Sequence, residues 1–166
     1  MKIIIDDLEF NSDHFYIQSN SIVEKIVFNN RTFYSKYQPI YSPLNSLLLS
    51  QHTNNEITLA LPLIEKEHVN YLVIEYSQEN WKAFYSLIKH LLKSLDIETF
   101  ICYRNEKKEL LQIFINRPNT PLETAYKEVE NIKHFLELKS NRGYTILPNR
   151  NLPKNYNIIT FPLKKI

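Results

Sequence analysis

The chain has 166 residues and a formal charge of +2, with 43% hydrophobic and 23% charged residues; these are globular proportions, and a chain of this length can fold around its own core without disulfides or a structural metal. Glycine occurs once, at Gly143, which excludes phosphate-binding loops and dinucleotide fingerprints, because both need several glycines to bring backbone amides against phosphate. The charge is too mild to mark a nucleic-acid surface by itself, and the single cysteine, Cys102, cannot close an internal disulfide. The isoleucine run Ile3 to Ile5, ahead of Asp6 and Asp7, is too short for a signal core or a membrane span, so a soluble cytoplasmic protein with no membrane partner is expected.

Short apolar runs at 2–5 and 15–18 predict strands. KIVF and RTFY flank Asn29 and Asn30, a two-residue hairpin turn, since asparagine tolerates the positive φ such turns need. Ser42 followed by Pro43 predicts a helix start, with Leu44, Leu47 and Leu48 as its apolar stripe and Asn54-Asn55 as its end. Residues 56–63 and 71–77 read as strands. From Trp81 the period becomes helical: Trp81, Phe84, Tyr85, Ile88, Leu91, Leu92 and Leu95 share one face. Strands at 100–104 and 110–115 flank the polar turn NEKKE. TPLE at 120–123 is a capping box, with Thr120 as cap, Pro121 in the first turn and Glu123 reaching back. It opens a second helix with Leu122, Ala125, Tyr126, Val129, Ile132 and Leu136 on its stripe. Gly143 ends the connection, and 144–147 and 157–161 close the chain as strands.

From residue 70 the order strand–helix–strand–strand–helix–strand is a split βαββαβ, which predicts an α+β fold with a ferredoxin- or RRM-like core over 70–166. Residues 1–63 form a strand-rich N-terminal layer with one short helix, and 1–166 is expected to be a single domain.

Five strings occur in order: LLLSQHTNNEITLALPL (47–63), LVIEYSQENW (72–81), FICYRNEKKELLQIFI (100–115), LPNRN (147–151) and IITFPLKK (158–165). Together they resemble the archaeo-eukaryotic primase–polymerase (prim-pol) superfamily. The chain also resembles a small family from the epsilon group of proteobacteria. The resemblance implies a nucleotide pocket on the face of an RRM-like sheet. In active members an Asp-x-Asp pair on one strand holds two divalent metals, a histidine on a neighbouring strand contacts the nucleotide, and a further acid completes the metal site. Here these positions fall on Glu75 and Ser77, on Gln112 and on Asn151. One carboxylate out of three does not hold two metals. The resemblance therefore implies a catalytically inactive member, a pseudoenzyme with a regulatory or sensing role. Its implied ligand is a nucleoside triphosphate (ribo- or deoxyribo-) with Mg2+, or a nucleic-acid end. Glu75, Ser77, Arg104, Asn105, Gln112, Arg150 and Lys164 are the implied nucleotide contacts, and Glu75 the implied metal ligand. The alternative is a protein-interaction module on a vestigial prim-pol fold with no nucleotide site, which an exposed apolar patch on the N-terminal strands would favour.

Each of these residues also has an ordinary reading. Glu75 suits a half-wet sheet face, Ser77 a cap for the Trp81 helix, and Arg104, Arg150 and Lys164 a solvated surface. The five histidines lack metal-ligand spacing, and His52 sits where a helix dipole favours it. Cys102 reads as an inert core thiol. Strand alternation turns Tyr76 away from Glu75, and Tyr103 away from the face assigned to Arg104.

Overall fold

The structure, a computed structural model, describes residues 1–139 and 142–166. Its strands, all paired antiparallel, are β1 (Lys2–Ile5), β2 (Leu8–Asn11), β3 (Phe15–Gln18), β4 (Glu24–Phe28), β5 (Arg31–Ser35), β6 (Tyr37–Ile40), β7 (Leu59–Pro62), β8 (His68–Tyr76), β9 (Phe100–Asn105), β10 (Leu110–Pro121), β11 (Tyr144–Leu147), β12 (Ile158–Thr160) and β13 (Lys164–Lys165). The helices are α1 (Ser46–Thr53), α2 (Trp81–Ser94) and α3 (Leu122–Glu137). The chain divides into two compact units, Met1–Glu67 with Arg150–Phe161, and His68–Asn149 with Pro162–Ile166.

The first unit holds a four-stranded sheet in the order β12-β7-β3-β6 and two hairpins, β1–β2 and β4–β5. The second hairpin turns on Asn29 and Asn30, both at positive φ (49° and 61°), as its two-residue loop requires. Leu8, Phe15, Leu59, Leu61 and Ile159 are fully or almost fully buried and form its core. Helix α1 starts later than Ser42-Pro43 predicts, because Asn45 is the cap: its Oδ1 accepts from the Leu48 amide at 2.9 Å. The leucine stripe expected for this helix is not buried; Leu47 is 65% exposed, and the residue α1 buries is His52. The His52 Nδ1 accepts from the Leu59 amide (3.1 Å), so Nε2 carries the proton and donates to the Phe161 carbonyl (2.9 Å). His52 is thus a neutral clamp joining α1, β7 and the segment after β12, rather than a charge on the helix dipole. The last predicted strand also lands here: β12 pairs with β7, with Ile159 opposite Leu61, instead of joining the core over 70–166.

In the second unit the chain order β8-α2-β9-β10-α3-β11 folds into a sheet ordered β11-β8-β10-β9, extended by β13 beyond β9. Of the predicted α2 stripe, Phe84, Ile88, Leu91 and Leu92 are buried, whereas Trp81, Tyr85 and Leu95 at its margins are half-buried; on α3 all six, Leu122, Ala125, Tyr126, Val129, Ile132 and Leu136, are buried. Phe84 stacks flat on Tyr76 with ring centroids 4.0 Å apart, which fixes the face of the sheet that α2 covers. Thr120 does not cap α3. Its hydroxyl donates to the Arg117 carbonyl at 2.9 Å, and Pro121 occupies the cap position. Arg117 also forks onto Glu128 of α3, with Nε at 2.9 Å and Nη2 at 2.6 Å from Oε1. Both side chains are about a quarter exposed, so solvent screens the pair in part. Arg117→Ala is expected to cost about 1 kcal/mol in urea unfolding, and Arg117→Lys to recover only part of it, because an ammonium cannot make the planar fork.

Candidate functional site

Register decides which side chains meet on the second unit's sheet. Thr145 pairs with Glu75, Glu75 with Gln112, Gln112 with Tyr103, and Tyr103 with Lys165. Directly paired residues point to one face. A hydroxyl, a carboxyl, a carboxamide, a phenol and an ammonium therefore line up across all five strands, on the face away from α2. At the centre of this row the Gln112 Nε2 donates to Glu75 Oε2 at 3.0 Å. Gln112 and Tyr103 are buried, whereas Glu75 keeps partial exposure and Thr145 is exposed. The Glu75 carboxyl nonetheless lies deep enough in protein that burial pushes its pKa up, and the amide bond from Gln112 pulls it only part of the way back.

The residues predicted from the sequence separate. Glu75, Gln112 and Asn105 share a face, but Asn105 Oδ1 accepts from the Lys108 amide (3.2 Å) and shapes the β9–β10 turn. Ser77 is exposed just past β8; its amide donates to the Gly143 carbonyl (3.3 Å), and the cap position of α2 falls on Asn80, so Ser77 does not cap it. Arg104 and Lys164 pair with each other in the next row, beside Leu111 and Tyr76, on the face that α2 covers. It is therefore Tyr103, not Arg104, that stands with Gln112; the expected alternation had these two reversed. Arg150 belongs to the first unit and is exposed there, as is Asn151, the position matched to the late acid. Gly143 has φ of +87°, and a Cβ there would lie 2.3 Å from Gln78 Cγ, so the turn into β11 needs glycine. Cys102 is buried and its thiol pKa is pushed up, mainly by that burial, as expected of an inert thiol.

A pair of divalent metals does not fit these residues. The row supplies one carboxyl, and among the described residues no three His, Cys, Asp or Glu side chains converge as a ligand set. Glu75 alone can contribute one oxygen to a cation whose other ligands come from a bound phosphate or water.

The first unit carries a feature that spacing arguments passed over. A cleft of about 640 Å³ is lined by His14, Tyr16, Glu24, Tyr41 and Lys154 among others. Within it runs a relay. The His14 Nδ1 donates to Asp13 Oδ1 (2.6 Å), and the Tyr16 hydroxyl donates to His14 Nε2 (3.0 Å). The Tyr41 ring lies 5.1 Å from the imidazole. Burial, with smaller contributions from Tyr41, Glu24 and Asp13, pushes the Tyr16 phenol up to about 12, so it is a neutral donor at physiological pH. The signal was legible as D-H-x-Y at 13–16, which puts His14 and Tyr16 on one strand face two residues apart. A raised phenol contributes stability that is complete below its unfolded value of about 10 and is lost as pH rises through about 12. Melting temperature is therefore expected to fall across that window. Tyr16→Phe should reduce the fall without abolishing it, since burial also pushes Tyr85 to about 12.

Residues 3–70 match the family described as a domain of unknown function, DUF1882. The match covers less than half of the chain and stops at the start of β8, so it falls almost wholly on the N-terminal stretch of the first unit. No curated protein matches the chain. No helix among the described residues is long and apolar enough to cross a membrane.

Proposed function

We propose that the second unit is a prim-pol-like nucleotide-binding domain that carries out no synthesis and serves a sensing or regulatory role. The observation that carries this reading is the contact between Glu75 and Gln112, the two strand positions where the prim-pol resemblance puts a metal-binding acid and the nucleotide-contacting histidine. The sheet order β11-β8-β10-β9, with a helix after β8 and another after β10, supports it, because a split βαββαβ pairs its strands in this way. In this reading Gln112 orients Glu75, whose partly exposed carboxyl accepts from ribose hydroxyls or a base amino group, and any Mg2+ arrives with the triphosphate. With one carboxyl in the row, this reading assigns the domain no two-metal synthesis.

The test is a thermal-shift panel of ATP, GTP, dATP and dGTP, each with and without Mg2+, on the native chain, Glu75→Ala and Gln112→Ala. A ligand held at a hundred times its Kd adds about 2.7 kcal/mol, enough to raise the melting temperature visibly. The expected result is a saturable rise with at least one nucleotide that both variants lose. An equal rise in Glu75→Ala would sink the reading.

A second reading, the interaction module, draws on hairpin β4–β5. Val27 and Tyr34 lie on its outward face at 68% and 58% exposure, with Ile22 at 55% just before it. An apolar patch left open to water is a surface for a protein partner. Absence of any nucleotide shift, together with concentration-dependent association that Val27→Ser abolishes, would favour this reading.

A further inference from the structure

We propose a separate oxyanion site on the α2 side of the sheet, in which Arg104, Lys164 and the first-turn amides of α2 hold a phosphoryl group. It lies one row along from Glu75 and Gln112 and on the opposite face, so it does not rest on the nucleotide reading.

Arg104 is the reason. It is 7% exposed, and its Nε and Nη1 are buried with no hydrogen-bond acceptor. A guanidinium has five N–H donors in a fixed fork, and leaving them unpaired away from water is among the costlier arrangements a side chain can adopt. Glu79 and Glu106 are the acids nearest in sequence to this site, and neither pairs with Arg104. What Arg104 does meet is an indole: its Cζ stands 4.9 Å from the centre of the Trp81 ring. That stacking offsets part of the cost but accepts none of the in-plane hydrogens.

The surroundings are made for an anion. Trp81 is the first residue of a 14-residue helix whose first turn contains no acid and whose cap residue, Asn80, gives the helix no side-chain acceptor. The Asn80 Oδ1 is instead occupied by the Tyr76 hydroxyl, so neither the cap nor the first turn offsets the positive end of the helix dipole, and Glu79 before the cap is exposed. Lys164 is the strand partner of Arg104 and is exposed. A second ammonium, Lys82 Nζ, stands 5.7 Å from the centre of the Trp81 ring. A fork, an ammonium and a helix N-terminus together suit a tetrahedral oxyanion, with the fork taking two oxygens at once. Trp81 is only half-buried; when its indole swings aside, an oxyanion can fork onto Nη2 and one of the two orphaned nitrogens beside it, since Nε and Nη1 lie on opposite sides of the guanidinium. Inorganic phosphate and the phosphate of a larger ligand share this chemistry.

The chain has one tryptophan, Trp81, so its fluorescence reports on this site alone. The experiment titrates phosphate, pyrophosphate and ATP into the full chain at constant ionic strength, with chloride as control, on the native protein, Arg104→Gln, Lys164→Ala and, as a guanidinium removed elsewhere, Arg117→Ala. The expected result is a saturable change in Trp81 emission with phosphate or pyrophosphate, weakened at least tenfold in Arg104→Gln, several-fold in Lys164→Ala, and unchanged in Arg117→Ala. Saturation by ATP alone would assign the site to the phosphates of a larger ligand; saturation by inorganic phosphate would assign it to the free ion. No saturable change with any of the three, or the same change in chloride, overturns the proposal. Lys164 is exposed and its variant keeps the fold, so undiminished binding in Lys164→Ala overturns the three-part site even if Arg104→Gln does not fold.

Discussion

Replacing His52 by alanine is expected to lower the unfolding free energy by about 3 kcal/mol or more, the largest effect of any substitution considered for the first unit. Four losses combine. The Leu59 amide, buried at the start of β7, loses the Nδ1 that accepts its hydrogen, and the Phe161 carbonyl loses the Nε2 donor. A buried polar group without a partner costs about 1–3 kcal/mol, and the space left by the imidazole adds a cavity term. The ring also meets Phe161 edge-on at 5.7 Å, a contact alanine cannot make. In a domain of this size each kcal/mol moves the melting temperature by about 2–4 °C, so a drop of roughly 6–12 °C is anticipated by calorimetry. A variant within 1 kcal/mol of the native protein would show that the clamp does not hold the first unit together.

Glu75→Gln is expected to act in the opposite direction and to stabilise the second unit at neutral pH. Burial raises the folded-state pKa of Glu75 above its unfolded value. Such a group favours the fold fully below the unfolded pKa, and that contribution is lost as pH rises through the raised folded one. At neutral pH the native protein therefore carries an ionisation cost that glutamine does not. The glutamine can still accept from Gln112 Nε2 through its carbonyl oxygen, so the packing of the row is kept. The gain in melting temperature should be larger at pH 7 than at pH 4, where protonation relieves the native carboxyl. A loss of stability at pH 7 would mean that the charged form is better solvated or better paired than its surroundings indicate. On the proposed function this same variant binds nucleotide poorly, so stability and binding move apart at one residue, as they do where a site is kept at the expense of the fold.

Elements whose signal is periodic were legible in the sequence. The α3 stripe, the centre of the α2 stripe and the Asn29-Asn30 hairpin appear as read, because burial of one face and positive φ are written locally. Helix starts were less so. Ser42-Pro43 lost to Asn45, and Thr120 turned its hydroxyl to Arg117, since several residues in each stretch can cap and tertiary contacts choose among them. Strand β13 is two residues long, too short for any pattern, yet it supplies Lys164 and Lys165 to two different rows. The partner of β12 was invisible for a similar reason: local sequence gives a strand but not its neighbour, and that choice moved residues 150–161 into the first unit. The candidate site followed the same logic. Glu75 and Gln112 meet across β8 and β10, whereas the face of Arg104 depends on the register of β9 against β10, which a one-residue change inverts. His52 and the Asp13–His14–Tyr16 relay were missed because their partners are backbone groups or near neighbours rather than a spaced ligand set.

The most direct measurement is calorimetric titration of nucleoside triphosphates with Mg2+ into the native chain and into Gln112→Ala at neutral pH. The proposed function predicts one saturable site per chain for at least one nucleotide, weakened at least tenfold when Gln112 no longer holds Glu75. No heat of binding for any nucleotide, or an unchanged isotherm in the variant, would contradict it and leave the Glu75–Gln112 contact as a structural feature of the sheet.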